Sequence, residues 1–305
     1  MVEHSSVAER IRGRLLAHAN PDGGWPYAAG KASRVEPTCW ALLALLESST
    51  SDLSARAALA APHLTWLSRA QRGDGLFADQ SGVPANFTAN GLAACVLASS
   101  SRWGPASAGP TPDLPKVLSA LVSAKGVSVD GADARQDNRL QGWPWLADTF
   151  SWLEPTAWCV LGLKKAGLQA DGAAARIQEA EKLILNRACE AGGWNFGNAA
   201  VTGQDLRPYV PTTALALIAM QDRRDAAAVT KSAGWLREAR LKEPSAIALA
   251  LTAIWLRLYG LPADDVEERL AADVDRAERV GNLQALAMML YALTADRHGM
   301  KAFHV

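Results

Sequence analysis

The 305-residue chain has no excess of either charge: 31 Lys and Arg stand against 31 Asp and Glu, with no basic run. That leaves no electrostatic footprint for nucleic acid. It also lacks any stretch of about 18 uncharged apolar residues, the length that reads as a membrane span. The longest candidate, Ala246 to Leu256, is too short, stops at Arg257 and reads as a buried helix. Met1 to Arg14 carries no apolar run of the signal-peptide kind. Cysteine is sparse: Cys39, Cys95, Cys159 and Cys189 are scattered, and no Cys-x-x-Cys occurs. Three of the four fall in apolar helix patterns, as expected of reduced, buried thiols in a cytoplasmic protein and not of a disulfide frame. The five histidines are far apart in sequence, and none has helical metal-ligand spacing to another histidine or a cysteine. No metal and no cofactor is expected. Finally, no segment alternates as a strand does.

What is present is a recurring phrase. A Gly-Trp turn is followed by a polar loop and then by Pro-Thr opening an apolar helix. Gly23-Gly24-Trp25 precedes Glu36-Pro37-Thr38-Cys39-Trp40. Gly142-Trp143 precedes Glu154-Pro155-Thr156-Ala157-Trp158, and Gly192-Gly193-Trp194 precedes Pro211-Thr212-Thr213. A period of tens of residues, with one helix pair per copy, marks an array whose units bury their apolar faces against one another. Apolar residues make up 49% of the chain, ample for such a core and too many for disorder.

Two kinds of helix alternate. Amphipathic ones are expected at 7–19, 54–71, 113–125, 172–189, 225–241 and 264–279, each with a wet face. Almost uncharged ones are expected at 37–46, 87–98, 155–163, 211–220, 244–256 and 282–293, apolar all round and therefore inside. Pro37, Pro155, Pro211 and Pro244 fit the first helical position, which assigns the caps to Glu36, Glu154, Val210 and Glu243. Glycine supplies the left-handed turn that ends each outer helix, and the tryptophan folds back over its last turn. Six inner and six outer helices give an all-α (α/α)6 toroid, a single domain over residues 1–305.

Trp66-Leu67, Gln71, Gly75 and Phe77 stand at the spacings of the squalene and oxidosqualene cyclase repeat, which this segment resembles. Weaker copies are Leu15-Ala19-Gly23-Trp25 and Ile184-Ala188-Gly192-Trp194. Class II terpene cyclases and protein prenyltransferase β-subunits share the architecture, so the resemblance implies a toroid with a central cavity for an isoprenoid or other apolar ligand. Class II cyclases protonate an alkene or epoxide with the central acid of Asp-x-Asp-Asp. Here the matching stretches, Arg34-Val35-Glu36-Pro37-Thr38 and Trp152-Leu153-Glu154-Pro155-Thr156, keep one carboxylate each. Asp273-Val274-Asp275 lies in a charged outer helix and is no substitute. Prenyltransferases hold zinc with Asp, Cys and His, whereas this chain offers Glu154-Pro155-Thr156, and Thr cannot replace a thiolate.

Glu36 and Glu154 are therefore the candidate acids. A helix N-terminus favours the charged carboxylate, so the macrodipole argues for a lowered pKa and for a purely structural role. Yet Glu is not a preferred cap. Asp148 is a third candidate, able to form a carboxylate pair with Glu154, or else simply a loop residue stabilising a turn. Trp40, Trp158, Trp152, Trp145 and Phe150 are the candidate ligand-binding aromatics. Trp40 and Trp158 each follow a glutamate by four residues and share its helix face. Two functions stay open: protonation-initiated cyclisation of an isoprenoid, and a non-catalytic toroid that binds a peptide or partner protein. Peripheral membrane contact suits the first. A carbohydrate lyase or hydrolase is a third class, against which the Gln71–Gly75–Phe77 phrase argues.

Overall fold

The computed structural model describes residues 2–47, 52–103, 109–130, 132–133, 136–294 and 300–305. It is an all-α toroid. The inner layer consists of α2 (Val35–Glu47), α4 (Phe87–Ser100), α6 (Leu153–Lys165), α8 (Val210–Ala219), α10 (Ala246–Leu258) and α13 (Leu283–Thr294). Each packs on the next, and α13 returns to α2 to close the ring. Outside them lie α1 (Val2–Ala17), α3 (Leu53–Ala70), α5 (Leu114–Ser123), α7 (Ala173–Asn186) and α9 (Ala227–Ala239). The sixth outer helix is broken at Asp273 into α11 (Asp264–Ala272) and α12 (Val274–Val280). Arg10 on α1 pairs with Asp275 on α12 at 2.6 Å, so the first outer helix lies beside the last.

Hydrogen bonds explain why the phrase repeats. The backbone N–H of the turn aromatic is accepted by the side chain of the fourth inner-helix residue: Trp25 by Thr38, Phe77 by Asn90, Trp143 by Thr156 and Trp194 by Thr213, at 2.7 to 2.9 Å. The indole N–H of Trp25, Trp143 and Trp194 reaches back to a carbonyl of the preceding outer helix, Leu15, Leu121 and Ile184. One residue thus ties an outer helix to the inner helix that follows. Gly23, with φ +98°, supplies the left-handed turn, and a Cβ there would lie 2.5 Å from the Pro62 carbonyl oxygen.

A second set of bonds runs around the ring. The first amide of each of four inner helices is accepted by the residue two past the turn aromatic of the neighbouring unit. Val35 N–H goes to the Asp79 carboxylate, and Phe87, Leu153 and Leu283 go to the carbonyls of Trp145, Phe196 and Tyr27. Three inner helices, α2, α6 and α8, therefore begin one or two residues earlier than proline placement suggests, whereas α10 begins two residues after Pro244. Glu36 and Glu154 are second residues, not caps. Asp79 serves α2, Trp152 and Tyr209 are the N-caps of α6 and α8, and Ser245 caps α10 through its side chain, leaving Glu243 outside.

The repeat is interrupted twice, by short hairpins absent from the strand-free expectation. One pairs β1 (Ala132–Asp133) with β2 (Gln136–Asp137), the other β3 (Ala200–Val201) with β4 (Gln204–Asp205). Phrase and threonine are 13 residues apart at Trp25 and Trp143 but 19 apart at Trp194, where the second hairpin is inserted.

Side chains fill the axis of the ring. Glycines bring α4 and α6 into backbone contact, because a Cβ on Gly91 would stand 2.5 Å from the Trp158 carbonyl carbon. Trp40 and Trp158 meet edge to face at 5.7 Å, and Phe303 packs against both, at 5.6 Å from each. Tyr291 completes the cluster, 5.3 Å from Phe303. The main chain around Phe303 is anchored at the C-terminal ends of the inner helices. Gln221 Nε2 donates to the Phe303 carbonyl at 2.7 Å and Lys165 Nζ to that of His304 at 3.0 Å. Residues 300–305 close that end of the ring.

Candidate functional site

The opposite end is the mouth, where the second residues of the inner helices gather. Glu36 of α2 accepts 2.8 Å hydrogen bonds from Tyr27 Oη on one carboxylate oxygen and from Gln284 Nε2 on the other. Gln284 is itself the second residue of α13. Glu154 of α6 accepts from the Trp145 side chain and feels the charge of Glu36. The two carboxylates therefore share one electrostatic site. Between α2 and α6 stands α4, whose second residue, Thr88, is buried with a hydroxyl that meets no partner.

Burial outweighs the helix macrodipole at both acids. It pushes Glu154 up to about 7, with the Glu36 charge adding and the Trp145 hydrogen bond opposing. Glu36 is also raised, chiefly by burial, against the bonds from Tyr27 and Gln284 and with a push from Asp79. The lowered pKa expected from a helix N-terminus does not materialise, because loss of water penalises the charged form more than the first turn rewards it. Tyr27 is raised in turn, by burial and by its carboxylate partner.

The structure brings together Glu36, Glu154 and Trp145 from the sequence candidates. Trp40 and Trp158 lie one helical turn deeper and form the floor, where they touch Phe303 and not an open cavity. Asp148 stands apart: it is exposed in a turn at φ +62°, a conformation that Asp tolerates better than most residues. The residues that sequence reasoning missed are Tyr27, Gln284, Thr88, Phe196 and Tyr209. Register would have found two of them. Tyr27 and Trp145 both lie two past a turn aromatic and nine before the acid, and Gln284 shares the second-residue position of Glu36 and Glu154.

Beside the mouth, the two hairpin insertions enclose a cleft of about 830 Å³. Phe150, Trp152, Phe196 and Tyr209 form its aromatic wall. Trp145 stacks on Trp152 at 4.7 Å and 23°, so one indole pair joins the acid mouth to the cleft. All four cysteines are buried and free, and burial raises the thiols of Cys39 and Cys159 beside the floor well above their ordinary value. Among the described residues no group of three His, Cys, Asp or Glu is placed to hold a metal ion, and no helix is long and apolar enough to cross a membrane.

No family model matches the chain, and no curated protein matches it in sequence. Solved structures do match in fold. A family 76 glycoside hydrolase from a bovine Bacteroides thetaiotaomicron strain is 13% identical, with a TM-score of 0.60 over 96% of this chain and 77% of its own. A reducing-end-xylose releasing exo-oligoxylanase gives 0.55 at 13% identity, over 99% and 94%. A type II terpene cyclase from Scytonema, in complex with its product merosterolic acid A, gives 0.54 at 13%, over 97% of both chains. Salmonella alpha-2-macroglobulin is similar too, at 0.53 and 16%, but the chain spans only 17% of its length. At these identities the likeness is one of fold, shared by glycosidases, a cyclase and a part of alpha-2-macroglobulin alike.

Proposed function

We propose that the mouth of the ring is a general acid–base site. Glu154 is the proton donor, Glu36 is the coupled carboxylate, and the substrate is an amphipathic molecule with a protonatable oxygen. The observation that carries this reading is the pair itself: a half-buried glutamate raised to about 7 by loss of water and by a second carboxylate at the same mouth. A carboxyl titrating there is half protonated at neutral pH, which suits general-acid catalysis and its return step as base.

The same value narrows the chemistry. An isolated alkene is a far weaker base than an ether oxygen and demands a strong acid. A carboxylic acid near 7 matches a glycosidic, epoxide or other ether oxygen, where bond breaking accompanies proton transfer. The filled axis points the same way, since Trp40, Trp158 and Phe303 pack against one another below the acids. The substrate's apolar part would lie along Trp152, Phe196 and Tyr209. The stacked indoles and polar groups of the cleft suit a sugar ring, and the aromatic wall suits an epoxidised isoprenoid.

The test is turnover of two substrate sets, aryl glycosides and oxidosqualene, by the wild type and by Glu154→Gln. Loss of about a hundredfold or more in kcat on one set supports the reading and names the class. Unchanged turnover in Glu154→Gln would sink it. Binding without turnover on either set would favour the non-catalytic toroid.

A further inference from the structure

Arg187 follows α7 directly and lines the aromatic cleft, yet its side chain is almost fully buried. Its partners are all neutral: the Asn186 side chain, the Asp137 main-chain carbonyl at 3.2 Å and Asn138 Oδ1 at 3.1 Å. Among the described residues no carboxylate makes a salt bridge to it. Asp137 attracts it from a distance, but that carboxylate is held by Arg139 in two hydrogen bonds of 3.0 and 3.1 Å. Asp205 is on the cleft's outer lip, as is the exposed Arg207. A buried charge without its counter-ion is costly, and folds keep such groups where something else neutralises them.

A second group in the same wall is unsatisfied. Gln136 is buried and donates to Asn138 Oδ1 at 3.2 Å, but its own Oε1 meets no donor. Gln136, Asn138 and Arg187 thus form one linked cluster, with a cation that makes no salt bridge among the described residues and an orphaned acceptor. It lines the same cleft as the aromatic side chains of Trp152, Phe196 and Tyr209. Both hairpins that build this cleft are departures from the repeat, so packing of the ring does not require them.

We infer that the cleft binds an amphiphile whose anionic oxygen, carboxylate or phosphate, sits on Arg187 while its apolar body lies along Trp152, Phe196 and Tyr209. A hydroxyl on the same head group satisfies Gln136 Oε1. The proposal deepens the acid–base reading by naming the head group of the substrate. It is separable from that reading, because it concerns binding and needs no turnover.

The probes are octyl phosphate, octanoate, octanol and inorganic phosphate, titrated calorimetrically into the full chain below micellar concentrations. The expected result is at least tenfold tighter binding of one octyl anion than of octanol, with inorganic phosphate weaker than octyl phosphate. Which anion binds better distinguishes phosphate from carboxylate. Arg187→Met is expected to abolish the preference and Arg187→Lys to keep part of it, with circular dichroism reporting the fold. If Arg187→Met does not fold, Arg207→Glu at the exposed lip carries the test and is expected to weaken the anion several-fold. Equal affinity for octyl anions and octanol, or a folded Arg187→Met or Arg207→Glu that binds the anion as the wild type does, overturns the proposal. Glu154→Gln is expected to bind the anion normally, so a failure of the acid–base reading leaves this result standing.

Discussion

Tyr27 Oη donates a 2.8 Å hydrogen bond to Glu36 Oε2, nine residues further along the chain. The bond steadies the charged form of Glu36 against the burial that raises it. Trp145 stands in the same relation to Glu154, so two copies of the repeat present a carboxylate to the ring's mouth in the same way.

Tyr27→Phe removes that donor, and Glu36 then titrates higher than in the wild type. A Glu36 that takes up its proton more readily bears less negative charge on Glu154, which titrates lower. Infrared difference spectra of the protonated carboxyl across pH 5–8 measure the shift. A Glu154 transition that stays at about 7 in Tyr27→Phe contradicts the coupling.

Stability should carry the mark of Glu154. Its folded pKa of about 7 lies above the ordinary 4.5, so the folded state binds the extra proton between those values. The stabilisation is complete below about pH 4.5 and is lost as pH rises through 7. The full difference is at most about 3.5 kcal/mol. Relative to wild type, Glu154→Gln is expected to gain stability as pH rises from 4.5 to 8, read as urea midpoints at several pH values. A pH-independent difference would contradict the raised value.

The alternation of uncharged and amphipathic helices made the double ring legible from sequence, since periodicity reports directly which face is dry. Glu36 and Glu154 were legible for the same reason, as the odd carboxylates in a repeated helix start. Their partners were not. Gln284 reaches Glu36 across 248 residues, a contact created only when the ring closes. Phe303 lies outside the repeat altogether, so nothing in the periodicity points it at Trp40 and Trp158. The cleft is built from two insertions, which a reading based on regularity treats as loops. The direction of the pKa shifts was missed because a helix N-terminus is visible in sequence while the burial that overrides it is not.

The tie between phrase and helix can be tested at Thr156, whose hydroxyl accepts the Trp143 amide at 2.9 Å in the core. Thr156→Val keeps the shape and leaves that buried N–H unpaired, an expected loss of about 1–3 kcal/mol by chemical denaturation. Gly142→Ala should be worse, because its Cβ would lie 2.2 Å from Thr156 Oγ1. Stability unchanged in both would refute the structural role given to the phrase.

Phe303→Ala takes the ring out of the aromatic cluster on the axis. A truncation of this size in a packed core costs about 3–5 kcal/mol. Because Trp40 and Trp158 then gain access to water, tryptophan emission is expected to shift to the red in the folded protein. A wild-type unfolding midpoint and emission maximum would mean that Phe303 does not fill the axis.

The coupled pair of acids is the centre of the account, and nuclear magnetic resonance of carboxyl-labelled glutamate tests it most directly. In the wild type, Glu154 is expected to titrate at about 7, and in Glu36→Gln its midpoint should fall as the neighbouring charge disappears. A Glu154 that titrates in the ordinary carboxylate range and does not respond to Glu36→Gln would contradict the claim that the mouth of this ring holds a proton at neutral pH.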